Sequence, residues 1–109
     1  MRKELVAASA EPLVLALLAK GESYGYSIIQ TIREQSADQI QWADGMLYPV
    51  LHRLERNGWI RSRWFESEAG RKRKYYALTA AGMKALEAQR QEWLTVHGTL
   101  AKLLKGSNV

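Results

Sequence analysis

Apolar residues recur along this chain in blocks whose spacing changes from one block to the next. In ADGMLYPVLHRLERNGWI (Ala43–Ile60), Leu47, Val50, Leu51 and Leu54 fall at i, i+3, i+4 and i+7. That spacing puts all four on one side of an α-helix, leaving Tyr48, His52, Arg53 and Arg56 on the other. Asp44 and Gly45 supply start chemistry. Pro49 lacks an N–H, which is harmless only in a first turn, so the pattern predicts a helix beginning near Gly45 or Met46. Gly58 stands where a left-handed C-terminal cap is wanted, and Trp59 and Ile60 open an extended segment.

Upstream, Leu13–Ala19 is apolar almost all round. Leu13, Leu17 and Leu18 mark the main stripe, and Val14, Leu15 and Ala16 fill the other sides. The helix begins nearer Leu5 or only at Pro12, because proline either starts or kinks a helix. A helix apolar on every side is buried on every side. In so small a chain that calls for a second chain over it, or for complete burial within one protomer. Gly21 ends the helix and Glu22–Gly25 form a turn. Tyr26–Gln35 reads as a second helix with Ile28, Ile29 and Ile32 inward, and Ser36–Trp42 as a polar connection with room for one more helical turn.

Downstream the period shifts towards two. Ile60, Ser62 and Trp64 share one face, and Arg61, Arg63 and Phe65 the other. Ser67–Gly70 supplies turn residues and Lys72–Leu78 returns, making a β-hairpin. Thr79 can cap a last helix from Ala80 to about Lys105. There Leu86, Trp93, Leu100 and Leu103 or Leu104 recur near a heptad spacing. That helix is too long to pack wholly on its own small domain, so pairing with another protomer is expected, with Trp93 in or beside the interface. The tail Gly106–Val109 is expected to fray. No repeat and no low-complexity tract interrupts the chain.

Two short helices, a third with a cationic exterior and a hairpin make the winged helix-turn-helix arrangement. The expected class is mainly α with a small β-hairpin (α+β), a winged helix-turn-helix plus a long C-terminal dimerisation helix. The division falls at residues 1–78 for DNA binding, with the first helix also in the dimer interface, and residues 79–109 for dimerisation.

Charge sharpens this picture. The 109 residues carry a formal net charge of +5. From His52 to Lys74 there are eight cations (Arg53, Arg56, Arg61, Arg63, Arg71, Lys72, Arg73, Lys74) and three acids (Glu55, Glu66, Glu68), and eight minus three is the whole excess. A localised positive patch fits a polyanion. There is no cysteine, which removes disulfides, thiolate nucleophiles and cysteine metal sites. With two histidines and two aspartates, no glycine-rich phosphate loop and no metal-ligand cluster, the chain reads as no enzyme and needs no cofactor and no metal. Arg2 and Lys3 before an apolar run resemble a leader, but Glu4, Glu11 and Pro12 interrupt it. The run is also far short of the roughly 20 residues that span a bilayer. No membrane contact is expected, and a cytoplasmic location is.

The expected ligand is duplex DNA. Two recognition helices held by a dimer would enter successive major grooves about 34 Å apart. Met46, Tyr48, Pro49, His52 and Arg53 would approach bases or nearby phosphates. Tyr24, Tyr26 and Ser27 would face the DNA backbone from the start of the second helix. Arg71, Lys72, Arg73 and Lys74 on the wing would neutralise phosphate. Two assignments stay open: Tyr48 packs against the hairpin or reads a base, and Arg53 and Arg56 pair with carboxylates or with DNA. The rival class is a winged-helix protein-interaction module whose basic hairpin meets an acidic protein.

The stretches GMLYPVLHRLERNGWIRSRW (Gly45–Trp64), YGYSI (Tyr24–Ile28) and RKYYALTAAG (Arg73–Gly82) resemble the PadR-type transcriptional regulators across most of the chain. The length is similar to the compact subgroup with a single C-terminal helix. The resemblance implies a homodimeric winged-helix repressor of inverted-repeat operators, often controlling aromatic-acid detoxification or multidrug-efflux genes. It implies a dimer built from the first and last helices, here through Leu13, Leu17, Leu86, Trp93, Leu100 and Leu104. It also implies a planar aromatic effector held near Trp93, with Val96 and His97 beside it. The sequence departs from the family at Met46, where many relatives carry a small hydroxyl residue.

Overall fold

A computed structural model describes residues 1–106. It contains helix α1 (Lys3–Ala19), strand β1 (Ser23–Tyr24), helices α2 (Gly25–Gln35) and α3 (Asp44–Arg56), strands β2 (Ile60–Glu66) and β3 (Lys72–Leu78), and helix α4 (Ala80–Lys105). The antiparallel sheet has the order β1-β3-β2, with Ile60 opposite Leu78 and Glu66 opposite Lys72. The hairpin and the long last helix match their predicted spans. The expected fraying of the tail lies outside the described residues beyond Gly106, which itself caps α4 with a φ of 36°.

Four details depart from the sequence expectations, each for a physical reason. First, α1 runs through Pro12 from Lys3. The bond Pro12 cannot make would have gone to Ala8, which is exposed, so water can serve that carbonyl. Its buried stripe is Ala10, Val14, Leu15 and Leu18, while Leu13 and Leu17 are half-buried. A helix apolar on two sides offers two stripes, and no polar residue in it says which one turns inward.

Second, Ser23 and Tyr24 form a strand rather than a turn, pairing with Tyr76 and Tyr75. Two residues are too few to show a period of two. Third, the connection Ser36–Trp42 has no further helical turn. Ala37 and Asp38 take left-handed φ values of 51° and 66°, which stops α2. The connection also buries Trp42, whose indole N–H has no partner, as part of the core with Ile28, Ile32 and Leu47.

Fourth, α3 starts at Asp44, one residue earlier than predicted, and Pro49 falls in its second turn. The Ala43 carbonyl accepts from the N–H groups of Met46 and Leu47 at 3.0 and 3.1 Å. The bond that Pro49 cannot make would have gone to Gly45, which is exposed and open to water. The predicted inward stripe Leu47, Val50, Leu51 and Leu54 is buried. At the far end Gly58, at φ 77°, donates to the Glu55 carbonyl, and Trp59 donates to the Leu54 carbonyl. Those paired bonds make a Schellman cap, which aims the chain straight into β2.

The start of α4 is locked to the same corner. The Thr79 hydroxyl accepts from the Gly82 N–H at 3.0 Å and donates to the Gly58 carbonyl at 2.6 Å. Gly82 is buried against the Trp59 backbone carbonyl, leaving no room for a Cβ. From there α4 runs 26 residues, about 39 Å at 1.5 Å per residue. It outruns the body and stretches the molecule to 63 × 29 × 21 Å. Among the described residues no helix is long and apolar enough to cross a membrane.

Candidate nucleic-acid interface

The wing, the start of α2 and one flank of α3 enclose an open groove of about 570 Å³. It gathers Tyr24, Tyr26, Tyr48, Arg71, Lys72, Arg73 and Lys74 from three separate stretches, seven of the twelve residues expected to face DNA. Sheet register explains the wing's part. Lys72 and Lys74 stand opposite Glu66 and Trp64, one face of the hairpin, while Arg73 stands opposite Phe65 on the other. Arg73 lies over the Tyr24 ring at 4.5 Å, and Lys74 lies 6.0 Å from the Trp64 ring and 5.8 Å from the Tyr76 ring. These rings fix cation positions without neutralising the charge.

The groove floor is set by Gly25. A Cβ there would meet the Tyr48 hydroxyl at 2.5 Å, so only glycine lets that ring close over the start of α2. Tyr48 thus packs across α2 while remaining 38% exposed to the groove. Tyr76 beneath it is buried, and burial, then the nearby Tyr48 and Glu55, push its hydroxyl pKa up. Ser62 donates to Glu55 at 2.6 Å and ties α3 to the wing. On the opposite hairpin face, Arg63 pairs with Glu22, with one contact at 3.2 Å. The hydrogen bond from Arg63 holds the Glu22 carboxyl below its ordinary pKa against the opposing effect of desolvation. No side chain caps the first turn of α2, so its N–H groups add to the positive potential there.

The remaining expected residues are dispersed. At 100° per residue, Gly45, Pro49, His52 and Arg56 share the outermost strip of α3, and all four are exposed. Arg56, for which the sequence left carboxylate or DNA open, therefore shares this outer strip with His52 and Pro49. Met46 turns to the other shoulder and packs against the core, and Ser27 is half-buried. Arg53 leaves the strip altogether. Its Nε donates to Glu11 of α1 at 2.7 Å. Trp64, 66% exposed and lining the groove, was missed as a site residue. The alternation with Ile60 and Ser62 could have found it, since that face turns inward and β2 outreaches the core at its far end.

The residues expected at the effector and dimer surface collect elsewhere, along the junction of α1 and α4. Leu13, Leu86, Trp93 and His97 line an almost wholly apolar trough of about 540 Å³ together with Pro12 and Ala16. Val96 is exposed outside it. Leu86, Trp93, Leu100 and Leu104 lie within a narrow arc of α4. Leu100 and Leu104 continue that stripe past the end of α1 and stand open, Leu104 at 77%.

A basic groove between a wing and a helix flank is what a winged-helix DNA reader requires, and residues 14–88 match the family described as the transcriptional regulator PadR-like family. The chain belongs to that family. It is similar to the negative transcriptional regulator PadR of Bacillus subtilis, 29% identical over 92 residues, which are 84% of this chain and 48% of that protein. It thus spans about half the length of that relative. Among solved structures, a transcriptional regulator from Clostridium thermocellum superposes with a TM-score of 0.85 at 29% identity, covering 94% of this chain and 96% of that one. A PadR-like transcriptional regulator from Bacillus cereus does so with a TM-score of 0.84 at 28% identity, covering 96% and 100%. This PadR-like chain is accordingly a winged-helix, DNA-binding transcriptional regulator and not an enzyme.

Proposed function

We propose that this PadR-like regulator is a cytoplasmic, homodimeric repressor of detoxification or multidrug-efflux genes, reading an inverted-repeat operator. The single observation behind the reading is the groove in which wing cations, tyrosines and the α3 flank converge. Pro49, His52 and Arg56 enter the major groove, with Tyr48 and Tyr26 at its edge. Arg71, Lys72, Arg73 and Lys74 lie along phosphate, and Trp64 stacks on the sugar-phosphate edge beside them. Residues 1–78 form this reading unit. Residues 79–109 carry the helix that joins two copies through the α1–α4 trough and the open stripe at Leu100 and Leu104. A planar aromatic effector enters against Trp93 and His97, and acts by favouring one spacing of the two reading heads.

Selection of bound duplexes from a random pool tests the reading. The expected product is a palindrome whose half-site centres lie about one helical turn apart. Recovery of no preferred sequence, with binding that ignores salt, would contradict it. Quenching of tryptophan emission by a planar dye, in competition with the selected duplex, tests the effector. A dye that binds and leaves duplex affinity unchanged removes that part.

A further inference from the structure

We propose that Glu11 is a positioning residue for DNA binding: by holding Arg53 it ties α3 to the α1–α4 junction, so that changes around Trp93 are felt at the reading face. The inference rests on the groove being the DNA site. Its own basis is a three-helix polar contact beside the apolar trough, in a small cavity that Glu92 also lines. Arg53 Nε of α3 meets Glu11 Oε2 of α1 at 2.7 Å, and the other Glu11 oxygen accepts from Gln89 Nε2 of α4 at 3.5 Å. Gln89 stands one helical turn before Trp93, and a cavity of about 310 Å³ joins Trp93, Glu11, Arg53 and Gln89.

Three physical features make this contact a link rather than a surface pair. The Glu11 side chain is 26% exposed and that of Arg53 43%, so the pair is half-covered and its attraction only partly screened. Pro12 follows Glu11 and deprives α1 of one backbone bond, so the helix yields most easily beside the carboxylate. The long, weak contact to Gln89, whose buried Oε1 has no partner, leaves the α4 side free to adopt a second arrangement. Arg53 lies one residue from His52 on the exposed strip and next to buried Leu54. A shift of Glu11 therefore rotates or translates the strip itself.

The test uses the full chain labelled with 5-fluorotryptophan, its four resonances assigned by single Trp→Phe substitutions, and titrated with the selected duplex. In the wild type the Trp93 resonance should move on duplex binding, although Trp93 lies outside the groove. Glu11→Gln should weaken duplex binding by at least about five-fold. It should abolish the Trp93 response while the Trp64 response survives, and Glu11→Asp should restore part of both. Thermal melting separates positioning from folding. Should Glu11→Gln fail to fold, Gln89→Leu provides the second variant, expected to fold and to reduce the Trp93 response. Unchanged affinity with a persistent Trp93 response in Glu11→Gln overturns the proposal alone. Tighter binding by Glu11→Gln also overturns it, because Arg53 would then have been held away from phosphate. A wild-type chain that binds no duplex overturns the groove reading and this proposal together.

Discussion

The groove and the α1–α4 junction are both concave and both open, yet they are built from opposite materials. The groove is lined by cations and tyrosines, and two of its charges, Arg73 and Lys74, are steered by rings rather than quenched by acids. The junction is lined mainly by alanine, leucine, proline and tryptophan, with Lys20, Arg90 and His97 at its margin, and runs out into bare leucines. The balance of charge and apolar surface is reversed between them, and it suits them to different partners. A cationic surface that stays hydrated gains from counterion release on a polyanion. A bare apolar stripe gains only by leaving water, at about 25 cal/mol for each Å² removed. The same 109 residues thus carry a cationic face suited to duplex DNA and an open apolar face to which the proposed function assigns a second copy of the chain.

The comparison breaks most visibly at the apolar end. Leu100→Glu with Leu104→Glu places charges on the open stripe without touching the buried core. Dimer dissociation should rise by at least about two orders of magnitude, since roughly 1.5–3 kcal/mol is forfeited per buried leucine and each chain loses two, as read by sedimentation at several concentrations. Circular dichroism should show the winged domain still folded. At the cationic end, Arg71→Ala with Arg73→Ala should weaken binding to every duplex. The slope of log affinity against log salt should flatten by about 0.9 for each phosphate left without its cation. An unchanged slope would move the wing away from phosphate.

The corner that holds the two regions together is less sensitive. Thr79→Ala removes the cap of α4 and its bond to the Gly58 carbonyl, and should lower stability by about 1–2 kcal/mol in denaturant melts. DNA sequence preference should not change. The smallest effect is at Glu22. Its lowered pKa means that the folded state favours the charged carboxylate, so the contribution is full at neutral pH. It fades as pH falls through the lowered folded-state pKa. Glu22→Gln should therefore differ slightly from the wild type near pH 7 and match it in strong acid, measured by thermal melting across that range.

Much of this was legible in the residues. The i, i+3, i+4, i+7 leucines and valine of α3, the Gly58 cap, the hairpin and the span of α4 all follow from local chemistry and appear where that chemistry puts them. What was not legible depends on tertiary choice. Nothing in α1 says that Ala10 and Val14 turn inward while Leu13 is left half-covered. Trp42 sits in a polar stretch, and only the turn made by Ala37 and Asp38 swings it into the core. In the candidate site, charge and position on the α3 helix placed Arg53 with the DNA-facing residues, but its partner Glu11 lies 42 residues away. Arg56, one turn on, has the exposed position that Arg53 does not.

The most direct test of the account is the native mass of the complex formed with one selected palindromic duplex. Two chains per duplex, with no stable one-chain species at matched concentration, is the predicted result. One chain on the duplex, or a dimer that ignores it at low salt, would contradict the claim that one face grips DNA while the other grips a second copy.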